Sequence, residues 1–328
     1  MTQYVLAGDI GGTKTNLAIY SVEGQRKLSL IREASFSSTH YNGLEAVISE
    51  FLGSGQEKVA AGVFGIAGPV LDGEVLATNL PWRVTATNVA QALGCDRVRL
   101  MNDLETTAYG ALFLPPQEIQ TLHEGTPRRG HRAVIAAGTG LGQAFLFWDG
   151  QRYRPVATEG GHADFAPRDE QEAALLHFLR QHYSRVSYER VLAGPGLVNI
   201  FHFLDQVLHK PVAPAVRARL QTEDPAAVVG QAGVTGVCGT CVEAVDLFLS
   251  LYGAQAGNLA LTVMAIGGVY VGGGIITKLL PKITTSAFMH SFQAKGRYAP
   301  FMAEIPVHII LNAKTAQLGA AQAASELL

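Results

Sequence analysis

The chain has 328 residues, more than one core usually holds, and its 25 basic and 27 acidic residues give a net charge of -2. Hydrophobic residues make up 48% of it and charged residues 16%, so a large buried core is expected, and no basic run is long enough to indicate a nucleic-acid partner. Three cysteines cannot form a disulfide framework and indicate a reducing compartment, which favours the cytoplasm.

One uncharged stretch, residues 253–277, is long enough to raise the question of a membrane span. Five glycines interrupt its second half, and they would weaken one continuous helix. We therefore predict a buried helix over residues 255–265, then a buried strand over residues 269–271, and no membrane segment. The N-terminus lacks a basic region and reaches Asp9 too early for a signal peptide.

The first third of the sequence alternates between strand patterns and helix patterns, which is typical of an α/β domain. Strands are predicted over residues 4–7, 17–22, 59–66 and 98–101, and helices over residues 41–52 and 105–113. The sequence GDIGGT at residues 8–13, the first glycine loop, should join two strands. The residues after it alternate with the period of two that a strand shows.

The same arrangement recurs with predicted strands over residues 133–137 and 144–148, joined by GTGLG at residues 138–142, the second glycine loop. This repetition predicts a duplicated domain whose two loops could face each other across a cleft. Residues 115–132 are interpreted as a polar connection and residues 171–261 as mostly helical. We expect a small α/β lobe at residues 1–110, to which a helix at about 312–328 returns, and a large α/β lobe at residues 111–311.

The first glycine loop is close to the P-loop pattern G-x-x-x-x-G-K-[ST], but Thr13 stands where that pattern needs glycine. A P-loop also opens a helix, whereas a strand is predicted after Thr15. What remains is a tight hairpin whose backbone N–H groups can approach an anion. Asp9 would repel a phosphate unless a cation intervened, which suggests Mg²⁺ arriving with a nucleotide. The residues alone allow a plain glycine hairpin equally well.

Two further glycine clusters follow predicted strands. The second glycine loop places the Thr139 hydroxyl among glycines, and GGG at residues 272–274 forms the third glycine loop. Each could be a turn that merely needs glycine dihedral angles, but three clusters at strand ends favour one large phosphorylated ligand. The candidate nucleotide-binding residues are Gly8, Asp9, Ile10, Gly11, Gly12, Thr13, Gly138, Thr139, Gly140, Gly272 and Gly273.

Asn102 and Asp103 follow the strand predicted over residues 98–101, at the strand end where open α/β sheets bind ligands. Asn102 and Glu105 also have the spacing of a helix capping box, which is the alternative interpretation. Capping does not require Asp103, and an aspartate at this position can accept a proton from a substrate hydroxyl.

Three other polar residues could bind a polyol, namely Glu159, His162 and Glu189, although such residues more often lie at the surface or in ion pairs. Cys238 and Cys241 have the CxxC spacing. No second cysteine pair or histidine cluster completes a zinc site, so we assign them a structural role and predict no protein-bound metal.

Five motifs in order carry a family resemblance. They are GDIGGT at 8–13, LMND at 100–103, AGTGLG at 137–142, EGGHADFAP at 159–167 and ERVLAGPGL at 189–197. Together they resemble the bacterial glucokinases. The resemblance extends from Asp9 to Gly319, and the combination is far more specific than any single motif.

The resemblance implies an α/β fold of the ribonuclease-H-like, actin/hexokinase type, with two lobes that close on a sugar. It implies that ATP, carried with Mg²⁺, phosphorylates the 6-hydroxyl of glucose and that Asp103 is the general base. The implied sugar ligands are Asn102, Asp103, Glu159, His162 and Glu189. The first and second glycine loops would bind the ATP phosphates and the third the adenosine side. We expect a homodimer, and we expect Glu189 to affect affinity for sugar rather than for ATP.

Several alternatives stay open. Mannose, glucosamine or another hexose could replace glucose, and polyphosphate could be the donor. The related repressor–kinase–open-reading-frame family carries a zinc motif near its sugar-binding histidine, and none follows His162. A non-catalytic sugar sensor usually has a helix-turn-helix ahead of this fold, whereas the first strand here is predicted at residue 4. An actin-like ATPase is the third alternative, but it would not explain the presence of the candidate sugar-binding residues.

Overall fold

The structure, a computed structural model, describes residues 2–24, 26–53 and 55–328. The strands are β1 (Gln3–Ile10), β2 (Lys14–Glu23), β3 (Lys27–Ser37), β4 (Val59–Ile66), β5 (Val70–Leu71), β6 (Glu74–Leu76), β7 (Arg83–Thr85), β8 (Val98–Asn102), β9 (Ile119–His123), β10 (Arg132–Ala137), β11 (Leu141–Trp148), β12 (Tyr153–Thr158), β13 (Val269–Gly272) and β14 (Val307–Ile310). The helices are α1 (Leu44–Gly53), α2 (Ala86–Leu93), α3 (Asp103–Gly110), α4 (Glu170–Leu179), α5 (Gly194–Gln206), α6 (Pro214–Arg219), α7 (Pro225–Thr235), α8 (Gly239–Val263), α9 (Gly274–Lys278), α10 (Leu280–Ile283), α11 (Phe288–Gln293), α12 (Ala299–Ala303) and α13 (Thr315–Ser325).

The chain forms two compact units, and the first comprises the chain up to Glu118, Ala144–Thr158 and Asn312–Leu328. Its main sheet has the strand order β3-β2-β1-β4-β8. β1 pairs with β2, and β2 with β3, in antiparallel fashion, whereas β1, β4 and β8 run parallel. The carboxyl ends of β1, β4 and β8 therefore meet at one edge of the sheet. At that edge Ile10 lies opposite Ile66, and Ile66 lies opposite Asn102.

Both faces of this sheet are covered by helices. Leu6 and Ile10 of β1 belong to one apolar cluster with buried side chains of α1 and α2. α13 packs against β1, β4 and α3. The backbones of α3 and α13 meet closely, because a side chain on Gly319 would overlap the carbonyl of Thr106. This contact helps to fix α3, the helix that begins at Asp103.

The second unit comprises Ile119–Gln143 and Glu159–Leu311. In its sheet β10, β13, β14 and β9 are successive neighbours, the first three parallel and β9 antiparallel to β14. Ala136 of β10 lies opposite Gly272 of β13, so the second and third glycine loops leave the same edge of this sheet. The large apolar core of this unit includes buried side chains of α4, α5, α7, α8 and α11.

Most of the predicted elements are confirmed. The first glycine loop joins β1 to β2 and the second joins β10 to β11, so the P-loop alternative is excluded because a strand follows Thr13. The helices predicted over residues 41–52 and 105–113 correspond to α1 and to α3 with its 3-10 extension Ala111–Phe113.

One predicted segment is wrong, and one predicted helix begins too late in the sequence. Residues 115–132 contain β9, whose pairing with β14 cannot be read from its own polar sequence. The helix predicted over residues 255–265 is part of α8, which begins sixteen residues earlier, at Gly239, and ends at Val263. Gly253 within α8 costs helix propensity, but a side chain there would overlap the backbone of Phe288 in α11, so close helix packing explains it.

Within the described residues, no single helix has both the length and the apolar character needed to cross a bilayer. α7 and α8, joined by a bend of 99°, meet the criteria of length and composition only as a pair.

Candidate active site

The first glycine loop is held in place by a serine from outside it. The N–H of Gly11 donates to the carbonyl of Lys14 at 2.9 Å and closes the turn between β1 and β2. The buried Ser38 adds two bonds, from its N–H to the carbonyl of Thr13 at 3.0 Å and from its hydroxyl to the carbonyl of Gly11 at 2.8 Å. The hydroxyl of Thr15 lies 3.0 Å from that of Ser38. The turn is therefore a fixed scaffold.

Asp9 stands beside this loop, near the end of β1. Its Oδ2 accepts a hydrogen bond from Nδ2 of Asn16 at 3.4 Å. Burial raises the pKa of the Asp9 carboxyl above its usual value, and the Asn16 N–H opposes this only in part. A cation next to Asp9 would favour the ionised form, so the chemistry of this position fits Mg²⁺.

The second glycine loop is fixed to the start of α5. The N–H of Gly138 donates to the carbonyl of Gly140 at 2.8 Å, and the N–H of Gly194 donates to the carbonyl of Gly138 at 2.9 Å. α5 begins at Gly194 with no side-chain cap, and its thirteen residues direct the positive end of the helix dipole towards this loop. An anion beside the loop would be stabilised by that end.

A buried tyrosine connects the second and third glycine loops. The Tyr252 hydroxyl accepts from the N–H of Ala137 at 3.1 Å and lies 3.2 Å from the carbonyl of Ile135 and 3.1 Å from that of Gly272. Burial raises the pKa of Tyr252, so the hydroxyl keeps its proton and can donate to a carbonyl. Gly273 has φ +91°, and a side chain there would overlap the carbonyl of Ala137. Glycine is thus required at 273 for conformation and for space.

These two loops form part of the wall of a large pocket in the second unit. The pocket has a volume of about 1050 Å³. Gly138, Thr139 and Gly274 line it on the loop side. Residues of α5 and α7 line it elsewhere, and among them Leu197 and Val234 are apolar. A pocket of this volume, with glycine loops and a mainly apolar remainder, suits a nucleotide-sized ligand.

Asn102 is the N-cap of α3, and the capping box predicted as the alternative is present. Its Oδ1 accepts from the N–H groups of Leu104 at 2.9 Å and Glu105 at 3.4 Å, while the Glu105 carboxylate accepts from the N–H of Asn102 at 3.3 Å. Its Nδ2 donates to the carbonyl of Gly68 at 3.1 Å. The side chain is buried, so its first role is to fix the start of α3.

Asp103 is the first residue of α3 and is half-buried. Its Oδ1 accepts from the N–H of Leu104 at 2.9 Å. The hydroxyls of Thr106 and Thr107 donate to its backbone carbonyl at 2.7 and 2.9 Å. These bonds anchor the backbone of Asp103. The residue follows directly after β8, at the sheet edge where Asp9 lies near the end of β1.

Glu159, His162 and Glu189 are brought together in the second unit. His162 Nε2 lies 4.0 Å from Glu159 Oε2, and its Nδ1 lies 4.0 Å from Glu189 Oε1. About half of the side-chain surface of Glu159 and His162 is exposed, and 26% of that of Glu189. Two carboxylates flanking an imidazole offer acceptors and a donor to a polyol. The spacing of 4.0 Å leaves the three groups as a cluster rather than a bonded triad.

Sequence reasoning missed three features of the site. Ser38 and Tyr252 hold the glycine loops but lie in unremarkable segments, so no local signal identified them. The third is the contact of Glu189 with the second glycine loop, where Oε2 accepts from the N–H of Leu141 at 3.0 Å. Among the described residues no group of three or more His, Cys, Asp or Glu side chains could hold a metal ion, and Cys95, Cys238 and Cys241 are free thiols.

Comparisons with known proteins show the family and the fold of this chain. The family model described as Glucokinase matches residues 6–327. A glucokinase of Nostoc sp. is 42% identical, over 98% of this chain and 99% of its own. The crystal structure of a glucokinase from an Antarctic psychrotroph superposes with a TM-score of 0.84 at 26% identity, over 99% of both chains. A ROK family glucokinase from Streptomyces griseus, in complex with glucose and AMPPNP, gives 0.67 at 22% identity, over 98% of this chain and 99% of its own.

The structural likeness confirms the predicted α/β fold of the ribonuclease-H-like, actin/hexokinase type. The family match and the relative at 42% identity both span nearly the whole chain, so the resemblance read from the five motifs is confirmed as well. The chain belongs to the glucokinase family.

Proposed function

We propose that this chain transfers the terminal phosphoryl group of ATP to the 6-hydroxyl of glucose, with Asp103 as the general base. The observation that carries the nucleotide half of this proposal is the pocket of about 1050 Å³, whose wall contains both the second and the third glycine loop. Family membership carries the sugar half, since glucokinase is the name of its curated relatives.

The second unit supplies the groups that would hold ATP. Gly138, Thr139 and Gly140 would present N–H groups and a hydroxyl to phosphate oxygens, supported by the positive end of α5. Gly272 and Gly273 would border the adenosine side, and the apolar wall of the pocket would cover the base.

The first glycine loop, from Gly8 through Ile10, Gly11 and Gly12 to Thr13, would receive the distal phosphates together with Mg²⁺. The ion would neutralise charge on the phosphates, and the Asp9 carboxylate would interact with it. Phosphoryl transfer depends on position and charge neutralisation more than on covalent chemistry, which suits a loop fixed by Ser38.

Asp103 would accept the proton of the attacking hydroxyl, and its fixed backbone limits where the carboxylate can go. Asn102 would serve mainly by holding α3. Its amide has two N–H groups and Gly68 takes one, which leaves a donor for a sugar hydroxyl. Glu159, His162 and Glu189 would take further sugar hydroxyls. We propose that these two groups of ligands belong to different lobes, Asn102 and Asp103 to the first and Glu159, His162 and Glu189 to the second.

For the assembly we propose a homodimer in the cytoplasm. The neighbouring Leu30 and Ile31 are 49% and 46% exposed on β3, the edge strand of the first sheet, and an apolar strand edge favours contact with a second copy. The free thiols suit a reducing compartment. Light scattering of the chain and of a Leu30→Glu variant should show a dimer and a weakened dimer.

The test of function is a coupled assay with glucose, mannose and glucosamine as acceptors and ATP or polyphosphate as donors, run on the chain and on Asp103→Asn. We expect glucose with ATP to be used best. The Asn variant keeps the shape of the side chain but loses the base, so kcat should fall by about 10²–10⁴ while glucose still binds. The exposed Asp96 provides a matched control, Asp96→Asn, with unchanged turnover.

Each other outcome has a distinct meaning. Faster turnover of mannose or glucosamine than of glucose would change the proposed substrate but not the proposed mechanism. Sugar binding without turnover by any donor would identify a sugar sensor. Near-normal kcat in Asp103→Asn would exclude Asp103 as the base.

A further inference from the structure

Glu189 contacts two parts of the second unit at once. Its Oε2 accepts a hydrogen bond from the N–H of Leu141, within the second glycine loop, at 3.0 Å. Its Oε1 lies 4.0 Å from Nδ1 of His162. One carboxylate therefore touches the loop assigned to phosphate and a side chain assigned to sugar.

Gly140 makes this double contact possible. A Cβ at residue 140 would lie 2.5 Å from Glu189 Oε2, closer than real Cβ atoms come to any neighbour. The φ angle of Gly140 is not in the left-handed region, so its conformation does not demand glycine. A Cβ at Gly138 would meet nothing within 4 Å. The absence of a side chain at 140 thus makes room for a carboxylate, a reason that the loop's phosphate-binding pattern did not suggest.

The turn that carries Glu189 is anchored through the side chain of its neighbour, Tyr188. The hydroxyl of its neighbour Tyr188 accepts from Nδ2 of Asn258 at 3.1 Å, and Oδ1 of Asn258 accepts from Nζ of Lys295 at 2.6 Å. Tyr188 is buried, as expected for an anchor. These bonds connect the 3-10 turn Tyr188–Arg190 to α8. Glu189 therefore has a fixed base from which its carboxylate can hold the second glycine loop in place.

The loop meets the sugar cluster at a second point. A side chain on Gly161 would overlap the carbonyl of Leu141, so the 3-10 turn Gly160–His162 lies directly against the loop. Displacement of Leu141 would therefore disturb both His162 and Glu189.

We propose that Glu189 is a positioning residue for the second glycine loop as well as a sugar ligand, and that it couples sugar binding to nucleotide binding. The proposal rests on the proposed function for the identity of the two ligands. A sugar hydroxyl donating to Oε1 would fix the carboxylate, and through Oε2 would fix the N–H of Leu141 and the loop. The coupling is reciprocal, because each ligand must change the affinity of the other by the same factor.

The test is the dissociation constant of ADP, measured by calorimetry with and without saturating glucose. Couplings between sites are typically about 5- to 150-fold, and we expect the chain to show tighter ADP binding with glucose in this range. Glu189→Gln keeps the size but loses the charge, so the ratio should fall towards one, and ADP binding without any sugar should weaken about 3- to 10-fold. A residue that served sugar alone would leave sugar-free ADP binding unchanged.

A glycine pair supplies the matched variants. Gly140→Ala should push the carboxylate away and weaken glucose binding, measured without nucleotide, although residue 140 is not a sugar ligand. Gly138→Ala adds the same methyl group in open space and should leave that glucose affinity unchanged. In a Glu189→Ala background, Gly140→Ala should have little further effect, because the two residues act through one contact.

Three results would overturn the proposal. They are equal glucose affinities in Gly140→Ala and Gly138→Ala, full glucose–ADP coupling in Glu189→Gln, and additive effects of the double variant. Unfolding midpoints identify any variant that fails to fold, and Glu189→Gln carries the test where Gly140→Ala does fail. Failure of the proposed function looks different, because the unmodified chain would then not phosphorylate glucose at all, whereas an active chain without coupling contradicts only this inference.

Discussion

The first and second glycine loops look alike in sequence but are built differently. Each follows a parallel strand and turns into the next strand, with a threonine among glycines. The first is held by Ser38, through bonds to the loop's own carbonyl groups. The second is held by Tyr252 at the end of β10 and by Glu189 at Leu141. The two loops thus have similar compositions, but each is anchored by residues outside it. The anchoring residues of the first loop are different from those of the second.

The charge at the two loops differs as well. Asp9 gives the first loop a carboxylate that is half-buried, with Asn16 as a hydrogen-bond donor. The second loop contains no acid of its own, although the Glu189 carboxylate bonds to its Leu141 N–H, and it lies at the positive end of α5. A cation suits the first loop and a bare phosphate the second, so the two loops should respond differently to substitution.

The largest effect should come from Asp9, the charged residue within the first loop. Asp9→Asn keeps the shape and would remove the proposed interaction with Mg²⁺, so kcat/KM for ATP should fall by about 10²–10³, the usual cost of losing one electrostatic contact at a transition state. Titration of activity with Mg²⁺ should show a higher requirement. An unchanged Mg²⁺ requirement would mean that the two loops do not differ in this way.

The same variant has the opposite effect on stability. The pKa of Asp9 is raised by burial, so the fold favours its neutral form. Such a group stabilises the fold below its unfolded-state pKa, and this contribution is lost as the pH rises through the folded-state pKa. At neutral pH, without ligand, Asp9→Asn should therefore unfold at a higher temperature than the unmodified chain, and the difference should shrink towards pH 4. Equal midpoints at pH 7.5 would contradict the burial argument.

The second loop should be most sensitive to its tyrosine anchor. Tyr252→Phe removes the hydroxyl between Ala137 and the carbonyls of Ile135 and Gly272, which leaves buried polar groups unpaired at a cost of about 1–3 kcal/mol. Urea denaturation should show this loss, and the KM for ATP should rise about tenfold. The exposed Tyr298 gives a control, Tyr298→Phe, that changes neither quantity. A loss of stability with unchanged KM for ATP would separate Tyr252 from nucleotide binding.

The sequence predicted the strands that enter both loops because their alternation and apolar content are local properties. β1, β4, β8 and β10 agree with the predictions to within a few residues. β3 was not predicted, because it is an edge strand whose side chains are largely exposed and mixed in character. β9 was missed for a related reason, since its pairing partner β14 lies about 190 residues further along the chain.

The candidate site divides in the same way. Asp9, Asn102 and the glycine loops could be identified from short motifs, because each motif lies at the end of a predicted strand. The prediction that Glu189 affects affinity for sugar rather than for ATP stays a prediction, but its bond to Leu141, which joins residues 48 positions apart, was not foreseen. Anchors such as Ser38 and Tyr252 carry no local pattern. Their role depends on contacts between segments that are distant in the chain, and a single sequence does not reveal those contacts.

The smallest of the expected effects concerns the serine that holds the first loop. Ser38→Ala removes the hydroxyl bond to Gly11 and leaves the Thr15 hydroxyl without this partner, but the backbone bond from residue 38 to Thr13 survives. Part of the support remains, so we expect a loss of about 1 kcal/mol in the free energy of unfolding and a rise of about threefold in the KM for ATP. Ser37→Ala is the matched control, since its hydroxyl bonds to Thr39 at an exposed position and not to the glycine loop in the described structure. Steady-state kinetics with both variants, at saturating glucose, would check this. If Ser38→Ala raised the KM for ATP as much as Tyr252→Phe, the first loop would depend on one hydroxyl as heavily as the second, and this difference between the two loops would be lost.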